Sequence, residues 1–197
     1  MILIVGLGNP GSRYEATRHN VGFRIVDRWV NRQGHPVWRE KFEGQFVSIN
    51  RAQGERVIAL KPMTFMNLSG FPVRAASSFF KLQPAEILVV HDELDLPFGE
   101  FRLKLGGGDA GHNGVGSIIE QMGTDAFARL RFGIGRPPAD FVGSGADFVL
   151  EGFPPADLSR VEELIDASSK VLDQVIDDGL STAMNVSNRK KKNGAVP

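Results

Sequence analysis

Apolar positions recur along the chain with two different periods, and the elements they predict alternate. Residues 2–5 (Ile-Leu-Ile-Val) form a short apolar run stopped by Gly6, the pattern of a buried central strand. Over residues 20–30, Val21, Ile25, Val26, Trp29 and Val30 fall at helical spacing, with Arg24, Asp27 and Arg28 between them. Residues 42–50 and 56–60 read as two strands, with Gln53-Gly54 as the turn signal between them. Residues 73–82 predict a helix closed by Pro84, and residues 86–90 a second buried strand that runs into His91-Asp92. Beyond the Gly106-Gly107-Gly108 loop, residues 114–122 predict a helix and residues 130–134 a strand that ends at Gly135-Arg136-Pro137. The longest amphipathic stretch, 158–178, carries Val161, Leu164, Ile165, Val171, Leu172, Val175 and Ile176 on one stripe, and Gly179 follows where a C′ glycine ends a helix.

Interleaved strands and helices predict an α/β fold: one twisted, mixed β-sheet covered by helices, with a C-terminal amphipathic helix. No repeat or linker divides the chain, so residues 1–187 are expected to be a single catalytic domain and the polar residues 188–197 a flexible tail. The length of 197 residues suits one domain with a full core, and 42% hydrophobic with 23% charged residues argues against global disorder. The absence of cysteine removes disulfides, a thiolate nucleophile and cysteine-ligated metals. No stretch approaches the roughly 20 apolar residues that span a bilayer, and the N-terminus lacks the basic region of a signal peptide; a cytoplasmic protein is expected. Net charge is zero, so a polyanionic partner would have to meet cations gathered on one face.

Gly6-Leu-Gly-Asn-Pro-Gly11 matches the dinucleotide pattern G-x-G-x-x-G directly after a strand. Pro10, however, lacks the N–H that such a turn offers to a pyrophosphate. No acidic residue closes a second strand about 20 positions on, because Asp27 falls inside the amphipathic helix. A tight strand-to-loop turn accounts for all three glycines.

The chemistry-bearing residues collect elsewhere. Of four histidines, His19, His91 and His112 lie in polar, glycine-flanked segments, while His35 reads as an ordinary loop residue. Asn9, Asn67 and Asn113 recur beside these segments. Open α/β sheets place ligands beyond the carboxyl ends of strands, where Asn9 and His91-Asp92 fall. If the two strands are neighbours, Asp92 can reach a histidine of the His19 loop, fix its tautomer and raise its basicity, which makes a general base for water. Each feature alone has an ordinary structural reading; the grouping in separate glycine-rich loops is what favours chemistry.

Six segments then carry a resemblance: Val5-Gly-Leu-Gly-Asn-Pro-Gly, Tyr14-Glu-Ala-Thr-Arg-His-Asn-Val-Gly-Phe, Lys61-Pro-Met-Thr-Phe-Met-Asn-Leu-Ser-Gly, His91-Asp-Glu-Leu-Asp-Leu-Pro-Phe-Gly, Arg102-Leu-Lys-Leu-Gly-Gly-Gly and Gly111-His-Asn-Gly. Together, and in this order, they resemble the signature blocks of bacterial peptidyl-tRNA hydrolases. The resemblance implies hydrolysis of the ester between a peptide and tRNA, with His19 as base, Asp92 as its orienting partner and Asn9 beside them. It implies that Asn67 and Asn113 bind substrate, that Tyr14, Phe65, Met66 and His112 line the cleft, and that Lys104 and Arg131 meet tRNA phosphates. It further implies a monomer that uses no metal or cofactor and has peptidyl-tRNA as its partner, with no membrane. Gly116 stands where many family members carry a basic residue, a departure that touches tRNA contact and not the base. An ester leaving group is expelled more easily than an amine, so activated water suffices without a covalent intermediate.

Three other classes remain to be weighed. A serine hydrolase would use Ser69 or Ser144, neither of which lies in a G-x-S-x-G elbow. A metal hydrolase built from His91, Asp92, Glu93 and Asp95 would need ligands that a strand directs to opposite faces. An RNA-binding module would use Lys104 and Arg131 but gives no reason for Asp92 beside a histidine.

Overall fold

The apolar run at the N-terminus becomes the middle of a sheet because it is hydrophobic on both sides. The computed structural model describes residues 1–51 and 54–188. In chain order its elements are β1 (Ile2–Gly6), α1 (Val21–Arg32), β2 (Arg39–Lys41), β3 (Gly44–Asn50), β4 (Arg56–Pro62), α2 (Gly70–Phe80), β5 (Ile87–Glu93), β6 (Phe101–Leu105), α3 (Asn113–Met122), β7 (Ala128–Gly133), α4 (Gly145–Val149), α5 (Leu158–Asp178) and α6 (Leu180–Ser187). The strands form one mixed sheet in the order β2-β3-β4-β1-β5-β7-β6. β4, β1, β5 and β7 run parallel, and β2, β3 and β6 are antiparallel additions at the two edges.

Alternate residues of the central strands feed two separate cores. Ile4, Leu88, Val90 and Leu130 pack with α1 and α5 residues such as Val26, Trp29, Leu164 and Leu172. Leu3, Val5, Ile58 and Val89 face the other way, against Val73 and Ala76 of α2 and Val115 and Ile118 of α3. Each such side chain contributes about 1.5–3 kcal/mol when fully buried, which is why these strands read as unbroken apolar runs. Arg24 and Arg28 of α1 both reach Glu162 of α5 at 2.6 Å, and the Trp29 indole donates to Asp173 at 2.9 Å.

The chain leaves β1 toward β4 on one side and β5 toward β7 on the other, so the carboxyl ends of β1 and β5 flank a topological switch point. The glycines after β1 serve this packing. A Cβ on Gly6 would stand 2.6 Å from the carbonyl oxygen of Gly22, and one on Gly22 would stand 2.4 Å from that of Val90. Backbone therefore lies on backbone where α1 crosses the ends of β1 and β5. Leu7 N–H donates to Val90 O at 2.9 Å and Phe23 N–H to Leu7 O at 3.1 Å, which locks the crossing. The G-x-G letters are explained by close approach of protein to protein.

Several element boundaries differ from the sequence expectation, each for a physical reason. β2 is polar and exposed throughout, so it carries no apolar signal. The strand expected from residue 42 begins at Gly44, because Phe42 and Glu43 adopt positive φ (60° and 51°) in the tight turn that joins β2 to β3. Phe42 is held there by ring contacts with Phe46, Phe79 and Phe80. α2 starts three residues before the expected 73 and ends at Phe80, where Lys81 turns left-handed. Gly179 does not end the helical region: at φ 79° and ψ 157° it is a corner between α5 and α6. Asn188, expected as the first tail residue, donates to Leu103 O and accepts from Leu103 N–H at 2.7 and 2.9 Å, so it closes the fold against β6. The rest of the expected tail, 189–197, and Gln53 of the expected turn lie outside the described residues. Among the described residues no helix is long and apolar enough to cross a membrane.

Candidate active site

His19 sits in a single 3-10 turn, Arg18–Asn20, that leads directly into α1 and so hangs over the ends of β1 and β5. Neighbours on both sides fix this turn. Asn20 accepts from Asn9 N–H at 2.8 Å and donates to Asn9 O at 2.9 Å, which ties the turn to the loop after β1. Arg18 N–H donates to Glu151 O at 2.9 Å, and its buried guanidinium donates to Phe148 O at 3.1 Å while stacking 3.9 Å over the Phe148 ring. Asn9 in turn accepts from Met66 N–H through Oδ1 at 2.8 Å, drawing in the loop that precedes α2.

Asp92, near the end of β5, is 2% exposed. Its two carboxylate oxygens lie 2.9 and 3.0 Å from His19 Nδ1, and one lies 3.0 Å from His112 Nε2. Burial opposes its charge, but His19 and His112 outweigh burial and hold the carboxyl well below the usual carboxylate range. A carboxylate only accepts, so both imidazoles donate to it. His112 Nδ1 meanwhile accepts from the N–H groups of Gly114 and Val115 at 3.1 and 3.3 Å, capping α3. His19 is thereby left with Nε2 as its free lone pair, which is the form a base requires.

A cleft of about 750 Å³ opens over this group, lined by Asn9, Tyr14, His19, Phe65, Met66, Asn67, Asp92, His112 and Asn113. Asn67 and Asn113 are exposed, Tyr14 half-buried, and Met66 buried. Lys104 and Arg131 lie outside the cleft, on the edge strand β6 and its neighbour β7. Register pairs Lys104 with Arg129 and Arg102 with Arg131, so four cations share one sheet face. Arg131 is also paired with Glu93 at 2.9 Å, which offsets part of its charge. The buried Arg129 donates to Gly107 O and Gly108 O and holds the glycine-rich loop to the sheet.

The geometry weighs against the rival chemistries. Ser69 is fully buried, and the hydroxyl of Ser144 is engaged with Asp147 as the cap of α4. Glu93 and Asp95 are held by Arg131 and Arg136 rather than converging with Asp92. His19, Asp92 and His112 do place ligand atoms within 4.8 Å of one another. A cation there would have to displace the hydrogen bonds that orient both imidazoles.

Sequence reasoning missed several parts of the site. Asn20 and Arg18 act through the backbone of their neighbours, and nothing in their spacing announces it. The wall formed by Ala146 and Val149 of α4 and by Leu150 just after it follows from a helix whose start was readable in the Ser144-x-x-Asp147 capping box. His112 was expected as a lining residue, and its sharing of Asp92 depends on how α3 meets β5.

His91, next to Asp92, turns to the other side of β5 and is 2% exposed. Its Nδ1 bonds to Asp92 O at 2.6 Å, while Nε2 is buried without a partner. Burial pushes this imidazole down to about 3, aided by His112 and Arg129 and opposed by Asp92. The folded state therefore keeps His91 neutral in a range where the unfolded chain, with an ordinary imidazole near ~6.5, binds a proton. Because the unfolded state binds more protons there, stability is lost as pH falls from about 6.5 toward 3, by up to about 1.4 kcal/mol per pH unit from this residue. Urea unfolding between pH 7 and pH 5 should show His91→Asn losing distinctly less stability than wild type; equal losses would contradict this assignment.

Comparison with known proteins gives the chain's relatives. The family model described as peptidyl-tRNA hydrolase matches residues 3–194. A peptidyl-tRNA hydrolase of Sorangium cellulosum is 48% identical over 98% of this chain and 86% of its own length, and one of Geotalea uraniireducens is 45% identical over 96% and 97%. Among solved structures, peptidyl-tRNA hydrolase from Acinetobacter baumannii superposes with a TM-score of 0.87 at 38% identity, covering 96% of this chain and 95% of the other. A peptidyl-tRNA hydrolase crystallised with N-propanol gives 0.88, also at 38% identity, over 98% and 97%.

Proposed function

The chain belongs to the peptidyl-tRNA hydrolase family, and from that premise we propose that His19, oriented by Asp92, activates the water that cleaves the ester between peptide and tRNA. The observation that carries this reading is the buried Asp92 carboxylate, both oxygens within 3.0 Å of His19 Nδ1, at the floor of a cleft. His19 Nε2 takes a proton from water as the oxygen attacks the ester carbonyl. The tetrahedral intermediate collapses, the ribose oxygen of tRNA leaves, and the proton held by His19 returns to it. The products are a free peptide carboxylate and free tRNA.

Asn9, Asn67 and Asn113 supply amides around this carbonyl. Amides both donate and accept, so they hold peptide backbone without reading its sequence and offer N–H groups to the oxyanion. Pairing with the amide beyond the ester distinguishes a peptide from a free amino acid, whose α-amine lacks that group. Lys104 and Arg131 meet tRNA phosphates beside the cleft. The enzyme acts in the cytoplasm as a monomer.

The test uses N-acetyl-aminoacyl-tRNA and its unacetylated form, each with EDTA present. Release of the acetylated amino acid with the free-amine substrate spared is the expected result. Cleavage of neither substrate would contradict the hydrolase reading, and cleavage of both at equal rates would contradict the role given to the asparagines.

A further inference from the structure

Phe65 is 54% exposed on the rim of the cleft, and its carbonyl accepts from Leu68 N–H at 2.8 Å in the turn that runs into α2. From there large apolar side chains continue along the helix on the side turned away from the core. Leu68 is 41% exposed, Phe71 46% and Phe79 58%, with the exposed Ala75 midway between the two phenylalanines. Spacings of three, three, four and four residues keep these positions on one side of a helical segment. The opposite side of α2 is occupied: a Cβ on Gly70 would stand 2.1 Å from Ser117 O of α3, and Val73 and Ala76 are buried. The far end is fixed as well, because Phe79 packs on Phe42 and Phe80 with Lys41 Nζ 3.5 Å over its ring. Exposed apolar residues are ordinary singly, but a line of them that starts at a binding cleft calls for an occupant.

We propose that this stripe, Leu68–Phe71–Ala75–Phe79, is a track for the part of the substrate's peptide that the cleft cannot hold. The inference rests on the peptidyl-tRNA hydrolase reading of the site and extends it. A cleft of about 750 Å³ is the size that encloses a small ligand, and it must take the ester, the neighbouring ribose and the first residues of the peptide. A longer peptide has to cross the rim. From Phe71 to Phe79 the helix rises about 12 Å, the span of roughly four extended residues. The stripe adds no ladder of backbone hydrogen bonds. It therefore favours apolar side chains without fixing their order, as a substrate of arbitrary sequence requires.

The test compares two substrates on wild type and on the double variant Phe71→Ser/Phe79→Ser. One tRNA carries a single N-acetylated amino acid, and the other an N-acetylated peptide of eight mostly apolar residues. The expected result is a KM for the long substrate raised about five- to tenfold in the variant, with kcat/KM for the short one unchanged within twofold. An equal change on both substrates, or none on either, overturns the track. Sedimentation of wild type at assay concentration is run alongside: self-association that the variant abolishes assigns the stripe to a second copy of the chain and likewise overturns it. Failure of wild type to cleave even the short substrate would instead remove the functional reading on which the track rests.

Discussion

His19→Ala is expected to lower kcat on N-acetyl-aminoacyl-tRNA by about 10²- to 10⁴-fold, the range that a positioned general base contributes. His19 is 6% exposed and spends Nδ1 on Asp92, so its role lies in the chemical step rather than in gripping substrate. KM should accordingly move little, and the loss should appear in single-turnover rates. Truncation leaves Asp92 with His112 as its remaining imidazole partner, so some loss of stability accompanies the variant, about 1–3 kcal/mol for a buried acceptor deprived of a donor. Circular dichroism and a melting curve separate that effect from the kinetic one. Activity within tenfold of wild type would make His19 structural and turn attention to His112.

Asp92→Asn should cost nearly as much without removing the base, about 10²- to 10⁴-fold in kcat. The substitution preserves shape but not hydrogen-bond character. Asp92 Oδ1 accepts from both imidazoles at 2.9–3.0 Å and Oδ2 lies 3.0 Å from His19 Nδ1, whereas an asparagine puts one accepting oxygen and one N–H₂ group at those two positions. With the oxygen at the Oδ1 position both imidazoles keep an acceptor, but the N–H₂ group at the Oδ2 position stands 3.0 Å from His19 Nδ1 and favours the tautomer with its proton on Nε2, where no lone pair remains for water. With the oxygen at the Oδ2 position only His19 keeps an acceptor, and His112 must give up either Asp92 or the cap of α3. The stabilisation of the proton acquired by His19 is lost in both cases. An Asp92→Asn enzyme with near-normal kcat would show that the carboxylate only supports the fold.

Parts of this architecture were legible because a single physical cause fixed them. The run Ile2–Val5 is apolar at consecutive positions, as a strand buried on both faces requires, and α5 (Leu158–Asp178) carries its apolar stripe from Val161 to Ile176. The pairing of His19 with Asp92 needed only that β1 and β5 be neighbours, and they are. Other parts depend on contacts made across the fold. β6 alternates as Phe-Arg-Leu-Lys-Leu, a readable strand pattern, yet its value lies in the register that sets Lys104 and Arg102 beside Arg129 and Arg131. The turn at Phe42-Glu43 violates local preference and is held by aromatic packing supplied from α2. α6 carries a weak apolar stripe behind a glycine that ordinarily ends a helix, and Arg18 gives no sign in sequence of the Phe148 ring on which it rests. The line of exposed residues on α2 is visible in sequence only as ordinary hydrophobic positions. Burial separates those that face the core from those that do not.

The central claim is that His19 and Asp92 act as one unit on water, and a double-mutant cycle tests it most directly. Single-turnover cleavage of N-acetyl-aminoacyl-tRNA would be measured for wild type, His19→Ala, Asp92→Asn and the double variant at one pH, with EDTA present. Once the base is gone there is nothing left to orient, so the double variant should be about as slow as His19→Ala alone, with the two losses far from multiplicative. A double variant slower by the full product of the two losses would mean that the residues contribute independently, and would contradict the account.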